Sequence, residues 1–219
     1  MARELMDRYD LFVFDWDGTL VSMKLLLRAK EFLKFKVWIR LLHLFGMKPS
    51  PPKRWPRSAE PANLLTLKEH ELKNNVLSML MDLFLLVSHT RLHNGTVPML
   101  KALKKRGKKV AIFTNAAEYR ILSELRACGL DGYLDIVVST RKIKAFKPDP
   151  SGLRTIVKRL GVSKGRVLYV GDMVDDVLAA RYAGVDSCAV SDGFDDYETL
   201  KASDPSYIAK SIRELHSML

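Results

Sequence analysis

Five short apolar runs recur along this chain, with helix-length stretches between them. They are Leu11-Phe12-Val13-Phe14, Val110-Ala111-Ile112-Phe113, Ile136-Val137-Val138, Val167-Leu168-Tyr169-Val170 and Cys188-Ala189-Val190. A run that is apolar on both faces reads as a strand buried in the middle of a parallel sheet. Four intervening segments read as helices: Val97 to Arg106, Glu118 to Cys128, Pro150 to Leu160 and Val174 to Ala183. Each stops at a glycine (Gly107, Gly129, Gly161, Gly184), which closes a helix with a left-handed residue at no steric cost. Strand and helix alternating at this period predict an α/β fold with a doubly wound parallel sheet.

One segment interrupts the alternation. From Met23 to His93 no strand pattern occurs. An apolar and basic helical stretch, Lys24 to Phe45, ends at Gly46, and a connector with Pro49, Pro51, Pro52, Pro56 and Pro61 follows. A second helical stretch begins at Thr66-Leu67-Lys68-Glu69, the spacing of a capping box, and runs to about Ser88. The expected organisation is a core of residues 1–20 and 94–219 with a helical insertion at 21–93. Most of the net charge of +11 falls in that insertion: between Val21 and Asn94 basic residues outnumber acidic ones 13 to 5. Such a surface attracts anions in general. Around the first helix the basic positions Lys24, Arg28, Lys30, Lys34, Lys36 and Arg40 are scattered rather than gathered on one face. That favours a packed helix over one lying on a membrane surface. No nucleic-acid-binding motif accompanies Trp38 or Trp55, so no nucleic-acid partner is expected.

Two cysteines, Cys128 and Cys188, lie far apart, which excludes a disulfide scaffold or a zinc cluster and points to a reducing, cytoplasmic setting. The first ten residues contain Glu4 and Asp7 and no apolar core, so no secretory leader is expected. The most apolar stretch, Leu77 to Val87, contains Asp82 and is shorter than the ~18 residues of a spanning helix.

Ligands of parallel sheets bind at the carboxyl ends of the strands. Just past those ends the sequence places Asp15-Trp16-Asp17-Gly18-Thr19-Leu20, Thr114-Asn115-Ala116, Lys147-Pro148-Asp149-Pro150 and Gly171-Asp172-Met173-Val174-Asp175-Asp176. Carboxylates this dense repel one another unless a cation sits among them. Oxygen donors without histidine or cysteine select a hard ion, and Mg²⁺ fits best beside a phosphate. Lys147 and the Thr114 hydroxyl suit phosphate oxygens. Two acids one residue apart can divide attack at phosphorus from proton transfer. Alone, Asp15 and Asp17 could be turn formers, and Asp172, Asp175 and Asp176 could cap a helix, capping being the favoured role for Asp175. The five histidines show no ligand spacing.

These four motifs, in this order, resemble the haloacid dehalogenase superfamily, in its phosphoglycolate-phosphatase-like branch with a small helical cap. The resemblance covers about residues 9–20 and 95–215. It implies a Rossmann-like core and a Mg²⁺-dependent phosphatase acting on a small phosphorylated metabolite, with phosphoglycolate the first candidate. By the same resemblance Asp15 is the nucleophile that forms an aspartyl-phosphate, and Asp17 is the general acid/base. Thr114 and the Asn115 N–H bind the phosphoryl group, and Lys147 offsets charge. Asp15, the Asp17 carbonyl and Asp172 hold the metal, with Asp176 behind them ordering Lys147 or a metal-bound water. A pyrophosphatase and a sugar phosphomutase share this core. A phosphate-binding or membrane-recruited module without catalysis is the alternative from another class.

Overall fold

A computed structural model describes residues 4–22 and 91–219. The chain divides into two compact units, Met1–Met23 with Asp82–Leu219 and Lys24–Met81, and the described residues belong to the first. The helical stretches expected at Lys24 to Phe45 and Thr66 to Ser88 lie outside the described residues.

The described chain runs α1 (Glu4–Arg8), β1 (Leu11–Phe14), α2 (Thr96–Lys105), β2 (Lys109–Thr114), α3 (Glu118–Ala127), β3 (Ile136–Ser139), α4 (Thr140–Ile143), α5 (Ser151–Leu160), β4 (Val167–Gly171), α6 (Val174–Ala183), β5 (Asp186–Val190), α7 (Tyr197–Ala202), β6 (Tyr207–Ala209) and α8 (Ile212–Met218). The strands form one parallel sheet in the order β3-β2-β1-β4-β5-β6. It is the doubly wound α/β core expected from the sequence. The sixth strand was not expected: Tyr-Ile-Ala is too short for a recognisable run and is completed by pairing with β5.

Alternation along β1 divides the core into two layers. Phe12 and Phe14 point to one face, where Val110, Ile112, Leu168 and Val170 meet Met99, Leu100 and Leu103 of α2 and Ile212 and Leu215 of α8. Leu11 and Val13 point to the other, among Ala111, Phe113 and Tyr169, covered by Leu153 and Ile156 of α5 and Ala179 and Ala180 of α6. Both faces of β1 are thus buried, which is why its four residues are all apolar. Each large apolar side chain so buried is worth about 1.5–3 kcal/mol.

Register sets the site. Phe14 lies opposite Ile112 on one side and Val170 on the other, so the chain leaves β1, β2 and β4 at the same rim of the sheet. After β1 it turns back on itself: Leu20 and Val21 donate to the Trp16 carbonyl, both at 3.0 Å. Ser22 then donates to the Arg91 carbonyl at 2.7 Å and His93 to the Leu20 carbonyl at 2.9 Å. The chain entering the insertion and the chain returning from it are therefore paired at the turn that carries Asp15 and Asp17. No helix among the described residues is long and apolar enough to cross a membrane.

Candidate active site

Asp15 is the first residue past β1. Its N–H donates to the Val170 carbonyl at 2.8 Å, which fixes the start of the turn against β4. Gly18 follows at φ +86°, and a Cβ there would collide with the Asp172 carboxyl and the Phe194 ring. Only glycine satisfies both the backbone angle and the close approach. Next, the buried Thr19 hydroxyl donates to Asp172 Oδ1 at 2.6 Å, while the Phe194 N–H donates to Asp172 Oδ2 at 2.8 Å. The turn after β1 and the loop after β5 thus hold Asp172 from two sides.

Lys147 comes from the loop ahead of α5 and is buried. Its Nζ lies 2.7 Å from Asp15 Oδ1 and 2.8 Å from Asp176 Oδ1. The ammonium also faces the rings of Phe113 and Tyr169, 5.3 and 5.5 Å from their centroids. These rings form an aromatic floor that favours a cation. The Tyr169 hydroxyl donates to Asp176 Oδ1 at 2.7 Å, and the N–H groups of Asp172 and Met173 donate to Asp176 Oδ2 at 3.2 and 3.1 Å. Asp176 is thereby committed to holding Lys147 and to closing the first turn of α6.

Burial pushes the Asp15 carboxyl above the usual carboxylate range; Lys147 opposes this, and the charge of Asp176 adds to it. Burial also raises Asp172, with Asp15 and Asp176 acting the same way. Burial alone would lower the Lys147 ammonium, but the two carboxylates against it overturn that and hold it above its ordinary value. Three buried carboxylates thus lie together with one ammonium, which pairs with two of them, a balance that calls for more positive charge. Oxygens of Asp15, Asp172 and Asp176 lie within 4.8 Å of one another. All are hard oxygen donors, and the set fits a small divalent cation. Asp176 carries Lys147, Tyr169 and two N–H groups, Asp172 the Thr19 hydroxyl and the Phe194 N–H, and Asp15 Lys147.

The remaining expected residues fall at the same rim. Thr114 ends β2, buried, its hydroxyl accepting from the Ala116 N–H at 3.1 Å. The exposed Asn115 accepts, through Oδ1, a long 3.4 Å hydrogen bond from the Lys147 N–H. Asp17 stands outside the three-carboxylate group: both of its oxygens accept from Arg120 of α3. Asp175 and Asp176 both lie in the first turn of α6, where acids complement the helix dipole. The start of α6 is closed by Asp176 and by Asp195, whose carboxylate accepts the Val174 N–H at 2.8 Å, and not by Asp175. Asp175 is half-buried, and burial, aided by Asp176, pushes its carboxyl up to about 6. Thr19, Tyr169, Phe194 and Arg120 were not singled out from the sequence. Thr19 adjoins Gly18 and could have been; the others acquire partners only through the fold.

A family model described as haloacid dehalogenase-like hydrolase matches residues 9–184. Among curated relatives, a phosphoglycolate phosphatase of Nitrosospira multiformis is 35% identical over 130 residues, 59% of this chain and 57% of its own. Phosphoglycolate phosphatase 1 of Pseudomonas aeruginosa is 31% identical over 126 residues, 58% of this chain and 46% of its own. Pyrophosphatase PpaX of Halalkalibacterium halodurans is 28% identical over 123 residues, 56% of this chain and 57% of its own. The chain spans about half the length of the curated relatives it matches. A HAD-superfamily hydrolase from Geobacter sulfurreducens shares the fold with a TM-score of 0.60 at 22% identity, over 96% of this chain and 100% of that one.

Proposed function

The chain belongs to the haloacid dehalogenase-like hydrolases, and from that premise we propose that it is a Mg²⁺-dependent phosphatase of small phosphate monoesters. One observation carries the reading. Asp15, at the mouth of the central strand, meets Lys147 at 2.7 Å and shares with Asp172 and Asp176 a space suited to a divalent cation. A carboxylate so placed is a nucleophile whose charge is offset but not removed.

When bound, Mg²⁺ would supply Lewis-acid stabilisation of phosphoryl oxygens, held by the Asp15 and Asp172 carboxylates and the Asp17 carbonyl. The chain's own residues do the rest. Asp15 attacks phosphorus, the ester P–O bond breaks, and Asp17 delivers a proton to the departing alkoxide oxygen. An aspartyl-phosphate remains on Asp15. Asp17 then takes a proton from water, the water oxygen attacks phosphorus, and the Asp15–phosphate bond breaks to release inorganic phosphate. Lys147 and the Thr114 hydroxyl, with the Asn115 N–H, receive the phosphoryl oxygens. Phosphoryl transfer needs this kind of positioning and charge compensation more than covalent help.

Phosphoglycolate is the first substrate to test, because two of the relatives named above are phosphoglycolate phosphatases. The PpaX relative supports pyrophosphate as a second. Residues 21–93, read as a helical cap rooted at the Asp17 turn, are where substrate choice would reside. The test is hydrolysis of p-nitrophenyl phosphate, phosphoglycolate and pyrophosphate before and after EDTA. Activity that vanishes with chelation and returns with Mg²⁺ supports the reading; full activity without any divalent ion contradicts it.

A further inference from the structure

The proposed mechanism asks Asp17 to reach the leaving oxygen in one step and a water in the next. A lone carboxylate on a turn rotates about two side-chain torsions, so something must hold it. Arg120, in the first turn of α3, is only 1% exposed, yet it is one of the longest side chains in the described core. Its Nη1 donates to Asp17 Oδ1 at 3.1 Å and to Glu124 Oε1 at 2.9 Å, and its Nη2 donates to Asp17 Oδ2. Glu124, one helical turn further on and also buried, accepts the Trp16 indole N–H at 2.5 Å through Oε2. Trp16 is the fully buried residue between Asp15 and Asp17 in sequence.

The four side chains form a chain whose ends adjoin in sequence: Trp16 anchors Glu124, Glu124 aims Arg120, and Arg120 grips Asp17 with both arms. A buried Arg–Glu pair gains little or nothing in stability over apolar packing of the same volume. Its presence here is better explained by what it holds. The planar fork fixes both the position and the plane of a carboxylate, which a point charge cannot do, and one arm has to yield its oxygen when that oxygen carries the proton.

We propose that Arg120 is the positioning residue for Asp17, and that Glu124 and Trp16 hold Arg120 in place. The inference rests on the proposed acid/base role of Asp17. Among the described residues Arg120 makes no hydrogen bond or ion pair with Asp15, Lys147 or Asp172, so its loss acts on the site through Asp17. Removing it frees Asp17 and also strands the buried Glu124, whose own contribution Glu124→Gln measures. The loss should therefore appear where proton donation matters, with leaving groups too basic to depart unaided.

The experiment compares Arg120→Gln, Arg120→Lys, Glu124→Gln, Asp17→Asn and the double variant Asp17→Asn/Arg120→Gln in the full chain. Substrates run from p-nitrophenyl phosphate, a good leaving group, to phenyl phosphate and an alkyl phosphate. Arg120→Gln is expected to lower kcat at least tenfold more for the alkyl than for the nitrophenyl ester. Arg120→Lys should fall between it and the native chain, and the double variant should be no slower than Asp17→Asn alone. Glu124→Gln should shift the profile the same way by less. Equal losses across the series, or a double variant that multiplies the two single losses, overturn the proposal. Should Arg120→Gln fail to fold, Glu124→Gln and Arg120→Lys carry the same test, and a flat profile in both overturns it. If Asp17→Asn is itself flat, it is the acid/base role of Asp17 that falls. If Asp17→Asn is selective and the Arg120 variants are not, only the present inference falls.

Discussion

Replacing Lys147 with Met keeps the length of the side chain and removes its charge. Two contacts vanish, 2.7 Å to Asp15 and 2.8 Å to Asp176, and both carboxylates remain buried without their cation. Breaking a buried ion pair from one side costs about 3–5 kcal/mol, mostly because the stranded charge stays desolvated. In a domain of this size that lowers Tm by roughly 6–20 °C. The pH dependence has a definite sign. Asp15 already binds its proton more tightly folded than unfolded, because burial raises it, and Lys147 is the group that opposes the rise. Without Lys147 the rise is larger. A carboxyl raised on folding loses stability as pH climbs from its unfolded value, near ~4, through its folded one. The deficit of Lys147→Met should therefore be small at pH 5 and grow toward pH 8, and Mg²⁺ should recover part of it by replacing the missing charge. Thermal melts followed by circular dichroism at both pH values, with and without Mg²⁺, measure this directly. A variant that melts within about 2 °C of the native chain at pH 8, less than ~1 kcal/mol, would refute the electrostatic account of the site.

Three further outcomes follow from other parts of the molecule. Gly18→Ala places a methyl group on the Asp172 carboxyl at a left-handed backbone position; Mg²⁺-dependent turnover should fall at least tenfold, and saturating Mg²⁺ should not restore native kcat. Gly152→Ala drives a Cβ into the Phe113 ring beneath Lys147, and chemical denaturation should show a net loss of about 1–3 kcal/mol from overpacking. Asp10 is held at about 2 by hydrogen bonds from Arg166 and then Lys108. Because the pair is half-exposed, Asp10→Asn should cost less than about 1 kcal/mol at pH 7. That difference should fade as pH falls from ~4 toward 2, since a lowered carboxyl loses its contribution on protonation; a difference that persists in acid would contradict the assignment.

What the sequence makes legible follows from how locally each feature is encoded. The five apolar runs announce their strands because β1, β2 and β4 are buried on both faces, and the acids past them fall at the shared rim because parallel strands end together. Strand β6 has too little apolar sequence to stand out, and α1 and α4 are too short for a periodic pattern. The start of α8 did carry a signal, since the Ser211 hydroxyl accepts from the Glu214 N–H at 3.2 Å in a Ser-x-x-Glu spacing. Arg120 is different in kind. An arginine near the start of a helix reads as a surface residue, and only folding places it against Asp17, 103 residues away in sequence. Tyr169 likewise reads as one more strand residue until its hydroxyl meets Asp176. A run of acids at a helix start suggests capping without saying which carboxylate accepts the free N–H groups; at α6 Asp176 and Asp195 do, with Asp175 beside them in the first turn.

The central claim is that Asp15 attacks phosphorus and carries the phosphoryl group between two half-reactions. Borohydride reduces an acyl phosphate to an alcohol, so quenching steady-state turnover of p-nitrophenyl phosphate with borohydride converts a phosphorylated aspartate to homoserine. Peptide mass spectrometry should then find homoserine at position 15, dependent on substrate and on Mg²⁺, and absent from Asp15→Asn, which should show no turnover. Homoserine at another acidic residue, or native-like turnover by Asp15→Asn, would contradict the account.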